Sequence, residues 1–288
     1  METVIRLLLV TLAWVVSARA ELKVASLSTI TTEIAENVGG PVVRITRLVK
    51  PGMDPHDFQP SPRDVREVED ADLVLLSGKG MEGYLTKLED AVGNKAKFVD
   101  VGAEMPTLTL EEDGRVVEDP HWWHSIANMK SATSVVRRQF VEADPPNKAL
   151  YMKNAAAYQA KLTDLEKWVR QQVAELARDQ RKLVTSHDAL QYFAQEYGFK
   201  IYAIEGVSTE DQPSSKKVTD LINTIRTQRV KAVFFESIAN PKVITEITRE
   251  TGAKIGGELF VDGLGEKEVS TYSDMIRHNI QTIVKNLK

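Results

Sequence analysis

Short apolar runs of strand length alternate along the chain with segments whose apolar residues recur every three or four positions. Leu22 to Leu27, Val43 to Val49, Asp72 to Ser77 and Lys97 to Val101 read as strands. Thr31 to Val38 and Arg63 to Asp70, lying between them, read as helices. The run Leu73-Val74-Leu75-Leu76 is continuously apolar, the pattern of a strand covered on both faces. Strands and helices in this alternation indicate βα units and a parallel sheet.

The middle of the chain changes character. After Asp144-Pro145-Pro146 there is no proline or glycine until Gly198. Tyr151, Ala155, Tyr158, Leu162, Leu165, Val169, Val173 and Leu176 form one apolar face at helical spacing. A helix from Asn147 to about Asp179 would be about 48 Å long at about 1.5 Å per residue. A coiled coil is one reading. The segment is single and has α/β patterns on both sides, so a helix joining two domains is expected.

Beyond it the alternation restarts. Lys182 to Thr185, Ile201 to Ile204, Ala232 to Phe235 and Lys254 to Phe260 read as strands. Ala189 to Tyr197, Val218 to Gln228, Lys242 to Thr251 and Thr271 to Asn286 read as helices, the first ended by Gly198 as a C-cap. The expected fold class is α/β, with two similar parallel-sheet lobes over 21–146 and 181–288 and one long linking helix over 147–180.

The first twenty residues are of another kind. Arg6 precedes a short run from Leu7 to Val16 that is apolar apart from Thr11, and Ala18-Arg19-Ala20 follows. The run is too short to span a bilayer of about 30 Å. A positive start, a short apolar stretch and Ala-x-Ala make a secretory signal peptide, cut after Ala20. The alternative is a buried N-terminal helix. A periplasmic location is expected.

Composition narrows the chemistry. The 288 residues are 42% hydrophobic and 27% charged, an ordinary globular balance. A net charge of -4, from 37 basic and 41 acidic residues, gives no support to a nucleic-acid partner. There is no cysteine. That excludes disulfides, thiolate zinc fingers, cysteine-held iron–sulfur clusters, cysteine nucleophiles and an acylated lipobox cysteine. Any transition metal must be held by His, Asp or Glu, and there are five histidines.

Four of the five lie in loop-like surroundings. His56 follows the second strand in a segment stiffened by Pro55, Pro60 and Pro62. His121 and His124 sit in Asp119-Pro-His-Trp-Trp-His-Ser125, and His187 ends the first strand of the second half. His278 lies on the terminal helix among polar neighbours and reads as a surface group. Ligands of open α/β sheets bind beyond the carboxyl ends of strands. His56 and His187 occupy such positions in different lobes, and Asp262 follows a strand in the second lobe. Three imidazoles and a carboxylate would suit a borderline metal such as zinc. Spacing alone does not bring the four together.

The motifs carry a resemblance. His56-Asp-Phe-Gln-Pro-Ser-Pro62, Asp119-Pro-His-Trp-Trp123 with Asn128, Ser186-His-Asp-Ala-Leu-Gln-Tyr-Phe193, Glu205-Gly-Val-Ser-Thr-Glu-Asp-Gln-Pro213 and Asp262-Gly-Leu-Gly265 occur in order. From about Leu22 to Lys288 the chain resembles the periplasmic substrate-binding proteins of zinc and manganese ABC transporters, the ZnuA/TroA type. The resemblance implies two lobes joined by a single long helix, with a metal ion in the cleft held by His56, His121, His187 and Asp262. It places His124 where the family usually has an apolar residue, and so beside the site or at the surface. Glu236, at the end of a strand, is a candidate to orient an imidazole, or simply a capping or surface glutamate.

Zinc is the expected cargo, with manganese or iron(II) as the alternative. The region Leu110 to Asp119 lacks the His-rich loop of many zinc-specific members and reads as a short, solvated acidic loop. His187 points towards zinc, since manganese-selective members often have a carboxylate there. The implied partner is a membrane permease, the chain is expected to be a monomer, and no enzymatic activity is expected. A metal-dependent hydrolase and a metal-stabilised adhesion protein are the remoter readings. Because imidazole must be neutral to bind metal, affinity is expected to fall as pH drops through about 6.5.

Overall fold

The computed structural model describes residues 21–112, 114–209, 213–236 and 241–288. The leader expected over residues 1–20 lies outside them. Strands β1 (Leu22–Ser26), β2 (Val43–Arg47), β3 (Leu73–Leu76) and β4 (Lys97–Asp100) form a parallel sheet in the order β2-β1-β3-β4. Alternate side chains of these strands enter two separate cores, as the two-residue strand period requires. Leu22, Val24, Leu73 and Leu75 face one, and Ala25, Val74 and Leu76 the other.

The first core is covered by α1 (Thr29–Gly39) and α4 (Ile126–Ala143), the second by α2 (Pro62–Glu69) and α3 (Leu85–Val92). Ser28 caps α1, and Ser61 with Asp64 forms a reciprocal capping box on α2. Between β4 and α4 the acidic stretch is not a bare loop. It is an antiparallel hairpin of β5 (Thr109–Glu112) and β6 (Arg115–Glu118), with Gly114 at φ +77° in its turn. An Asp-Gly turn between two short runs is a hairpin signature. Glu112 is not simply solvated, because its Oε1 accepts from the Val207 N–H of the other lobe at 2.6 Å.

Helix α5 (Lys148–Val173) has 26 residues and spans about 39 Å. Its buried stripe is Tyr151, Ala155, Tyr158, Leu162, Leu165, Val169 and Val173, the apolar face read from the sequence. It packs against α1 and α4 on one side and α9 (Tyr272–Leu287) on the other, so one continuous core runs through both lobes. The helix stops short of position 179. Leu176 turns inward and is buried, and its carbonyl is taken by the Arg181 guanidinium at 3.1 and 3.2 Å. No glycine or proline announces this end, which is why periodicity overran it.

The second sheet, also parallel, has the order β10-β9-β7-β8. Its strands are β7 (Lys182–Thr185), β8 (Lys200–Ala203), β9 (Ala232–Phe235) and β10 (Lys254–Glu258). Helices α7 (Ser215–Gln228) and α8 (Pro241–Thr251) cover one face through Leu221, Ile225, Ile244 and Ile247. Helices α6 (Gln191–Tyr197) and α9 cover the other. His278 is half-buried on α9, not a free surface group. It donates from Nε2 to the Glu258 carbonyl at 3.0 Å and packs edge-on against Phe260.

Candidate metal centre

The carboxyl ends of both sheets face each other across the cleft, and the loops there carry the chemistry. After β2 the chain turns at Pro51-Gly52, with the Met53 N–H on the Lys50 carbonyl at 3.1 Å and Gly52 at φ +79°. Positive φ is open to glycine at little steric cost. Asp54-Pro55-His56 follows. Asp54 Oδ1 accepts from the His56 N–H at 2.8 Å, and its Oδ2 accepts from Thr209 Oγ1 of the other lobe at 2.7 Å. The same tripeptide recurs as Asp119-Pro120-His121. Here one carboxylate oxygen, Asp119 Oδ1, accepts both the His121 N–H at 2.9 Å and the ring Nδ1–H at 2.8 Å.

Each of these side-chain turns fixes its histidine on a short loop. The turn that follows, Trp122–His124, is anchored by Trp122 Nε1 on the Ser77 carbonyl and by Asn128 Nδ2 on the Trp122 carbonyl, at 2.9 and 3.1 Å. His187 follows β7 directly. Its Nδ1–H donates to Glu236 Oε2 at 2.6 Å, from the end of the neighbouring β9. Asp262 follows β10 by a short crossing segment.

The four residues converge. His121 Nε2 lies 3.3 Å from His56 Nε2 and 3.3 Å from His187 Nε2. Asp262 Oδ1 lies 3.6, 3.3 and 3.2 Å from the Nε2 atoms of His56, His121 and His187. All four donor atoms fall within 4.8 Å of one another. His121 and His187 are wholly buried and His56 is 9% exposed. Both Asp262 oxygens are buried without a hydrogen-bond partner among the described residues.

The electrostatics match. Burial disfavours the His121 cation, but the Asp119 hydrogen bond and the facing Asp262 outweigh it and hold its pKa above the ordinary value. For His187 burial is again opposed, by Asp262 and Glu236, and its pKa stands well above the ordinary value. Burial works against the Asp262 carboxylate, yet the facing His187 and His121 rings hold its pKa well below the usual range. The cradle therefore calls for positive charge at its centre, which protons or a metal cation can supply.

Among the sequence candidates, His56, His121, His187 and Asp262 meet, and Glu236 reaches the His187 ring. His124 does not join them. It is buried, and its Nε2–H donates to the Val261 carbonyl at 2.8 Å. Burial and the neighbouring His121 push its pKa down to about 4. Asp119 was not singled out, although the repeated Asp-Pro-His was a readable signal. Two further carboxyls flank the cleft: burial raises Asp188 to about 6 and Glu205 to about 7.

Residues 24–286 match the protein family described as "Zinc-uptake complex component A periplasmic", ZnuA. The chain belongs to the ZnuA family. This ZnuA-family chain is 36% identical over 280 residues to the manganese-binding lipoprotein MntA of Bacillus subtilis (strain 168), covering 94% of this chain and 92% of MntA. It is 34% identical over 265 residues to the iron-binding protein YfeA of Yersinia pestis, covering 91% and 85%. The solved periplasmic zinc binding protein TroA of Treponema pallidum shares the fold at a TM-score of 0.86 and 29% identity, over 93% of this chain and 99% of TroA.

Members of the ZnuA family are substrate-binding proteins of metal ABC transporters, which are carriers and not enzymes. The hydrolase reading of the sequence is thereby set aside. No helix among the described residues is long and apolar enough to cross a membrane.

Proposed function

We propose that this chain captures a zinc ion in the periplasm through His56, His121, His187 and Asp262, and passes it as a monomer to the ABC-transporter permease. The reading rests on one observation, the buried convergence of three Nε2 atoms and a carboxylate whose two oxygens have no hydrogen bond among the described residues. Two of the imidazoles already give their Nδ1 protons to Asp119 and Glu236, which leaves Nε2 as the donor atom towards the ion. A tetrahedral zinc with bonds of about 2.0–2.1 Å spaces its ligand atoms about 3.3–3.4 Å apart. Five of the six separations run from 3.2 to 3.6 Å, and all lie within 4.8 Å. Three imidazoles favour a borderline ion over one that prefers oxygen.

Manganese or iron(II) is the second reading, favoured by the names of MntA and YfeA. Those relatives include named lipoproteins, whereas this sequence has no cysteine to acylate. The leader read over residues 1–20 supports release into the periplasm.

Native mass spectrometry of tag-free protein offered equal zinc and manganese, with elemental analysis of the retained metal, tests both readings. One tightly held zinc supports the first. Manganese retained against zinc supports the second, and no retained metal removes the four-ligand site.

A further inference from the structure

Asp262 is supplied by the C-terminal lobe, yet the backbone on either side of it is held by the N-terminal lobe. Up to Phe260 the chain is tied to its own lobe, with the Phe260 N–H on Asn279 Oδ1 at 2.9 Å and the Asn279 amide on the Phe260 carbonyl at 2.6 Å. From Gly265 it is tied there again, through its N–H on the Val269 carbonyl at 3.1 Å. Between these points the partners change.

The Val261 carbonyl accepts two hydrogen bonds from consecutive residues of the N-terminal lobe, Trp123 Nε1–H at 2.8 Å and His124 Nε2–H at 2.8 Å. Both donors are buried, at 1% and 2% exposure. A carbonyl oxygen has two lone pairs, and both are engaged. Three residues on, the Leu264 N–H donates to Thr29 Oγ1, in the first turn of α1, at 2.8 Å. Gly263 permits that approach, since a Cβ there would lie 2.4 Å from Thr29 Oγ1. Tyr272 returns the grip by donating its hydroxyl to the Trp123 carbonyl at 2.6 Å.

We propose that Trp123 and His124 are positioning residues for Asp262. Their joint hold on the Val261 carbonyl, with Thr29 on Leu264, makes the Asp262 loop a mechanical part of the N-terminal lobe. The carboxylate then keeps its place beside His56 and His121, and His187 is the ligand whose distance changes when the lobes part. The inference rests on the reading of Asp262 as a metal ligand, but the grip itself does not depend on metal.

Hydrogen–deuterium exchange of the metal-free full chain tests the grip. His124→Leu keeps the bulk and removes the donor, while His124→Gln restores an N–H of similar reach. The Leu264 amide and its neighbours should exchange about tenfold faster in His124→Leu, with β10 and α9 unchanged and with reversal in His124→Gln. A chelator chase of bound zinc should show dissociation about tenfold faster in His124→Leu at an unchanged association rate.

Equal exchange in all three proteins overturns the grip. Faster exchange with unchanged zinc dissociation overturns the positioning role and leaves only a structural contact. If His124→Leu does not fold, Trp123→Phe and Thr29→Val remove single contacts of the same grip and should raise Leu264 exchange; no rise in either overturns it. A wild-type chain that binds no zinc, manganese or iron(II) sinks the proposed function and this role together, while the exchange result still decides the grip.

Discussion

Glu236 receives the Nδ1 proton of His187 at 2.6 Å, from the end of the strand beside the one that carries the histidine. The Glu236 N–H donates in turn to Ser186 Oγ at 3.3 Å, so the carboxylate and the imidazole share one corner of the sheet. The bond fixes the His187 tautomer and ring plane. Glu236→Gln should lower zinc affinity about 10–100-fold, the usual cost of losing such support. Competition with a chromophoric chelator measures it, and an unchanged affinity would remove Glu236 from the site.

His187→Ala deletes a donor atom and not merely its support. Zinc affinity should then fall by more than about 100-fold, beyond the cost of the Glu236 change. His124→Ala removes no donor atom from the cradle and should cost less than His187→Ala in the same titration. Equal losses would place His124 among the ligands.

Protons compete with the ion for His121 and His187. Both pKa values are raised, so their protonated forms persist above the ordinary histidine value of about 6.5. Apparent zinc affinity should keep rising with pH past 6.5 and be lost as pH falls through these raised values, earlier than the sequence alone suggested. The metal-free fold should show the matching linkage. Stability from the two imidazolium groups is full below about 6.5 and fades as pH rises through their folded pKa values. Calorimetric pH series with and without zinc would show this. A flat affinity between pH 6 and 8 would contradict it.

Metal removal should leave the chain folded, because the cores of both lobes and of α5 are built without the cradle. Chelator treatment should leave the far-ultraviolet dichroism unchanged. With one stiff helix between the lobes, the radius of gyration should change by no more than about 1–2 Å. Loss of dichroism, or a change of several ångströms, would contradict this.

Leu162 is wholly buried at the middle of α5, the helix that packs against α1, α4 and α9. Leu162→Ala should destabilise the metal-free protein by about 2–5 kcal/mol in urea titration. A loss under about 1 kcal/mol would show that the helix is not the shared core.

The fold was largely legible because its signals are periodic. The buried stripe from Tyr151 to Val173 and the apolar run Leu73 to Leu76 appear in the structure as read. Helix α3 and hairpin β5–β6 have no counterpart among the elements that the sequence predicts. The hairpin's exposed positions mix charged residues with Thr109 and Val116, so only the Asp-Gly pair in its sequence signals it. The ligands were readable through motif resemblance, since residues up to 206 positions apart in sequence carry no spacing signal of their own. What supports them was harder to see. Asp119 was open to local reading through Asp-Pro-His, whereas the His124 contact with the Val261 carbonyl spans 137 residues and exists only in three dimensions.

Among the described residues α5 alone carries the chain from one lobe to the other, which makes the molecule a clip with a single spine. Everything else that holds it shut is non-covalent, such as Thr209 on Asp54 at 2.7 Å, Val207 on Glu112 at 2.6 Å and Tyr192 Oη–H on the Pro106 carbonyl at 2.9 Å. Each such bond contributes only about 0.5–1.5 kcal/mol net. A membrane partner that grasps both lobes could pry them apart without unfolding either one. Asp54 orients His56 with one carboxylate oxygen and takes the Thr209 hydroxyl of the other lobe with the second, so prying the lobes apart would also loosen the cradle.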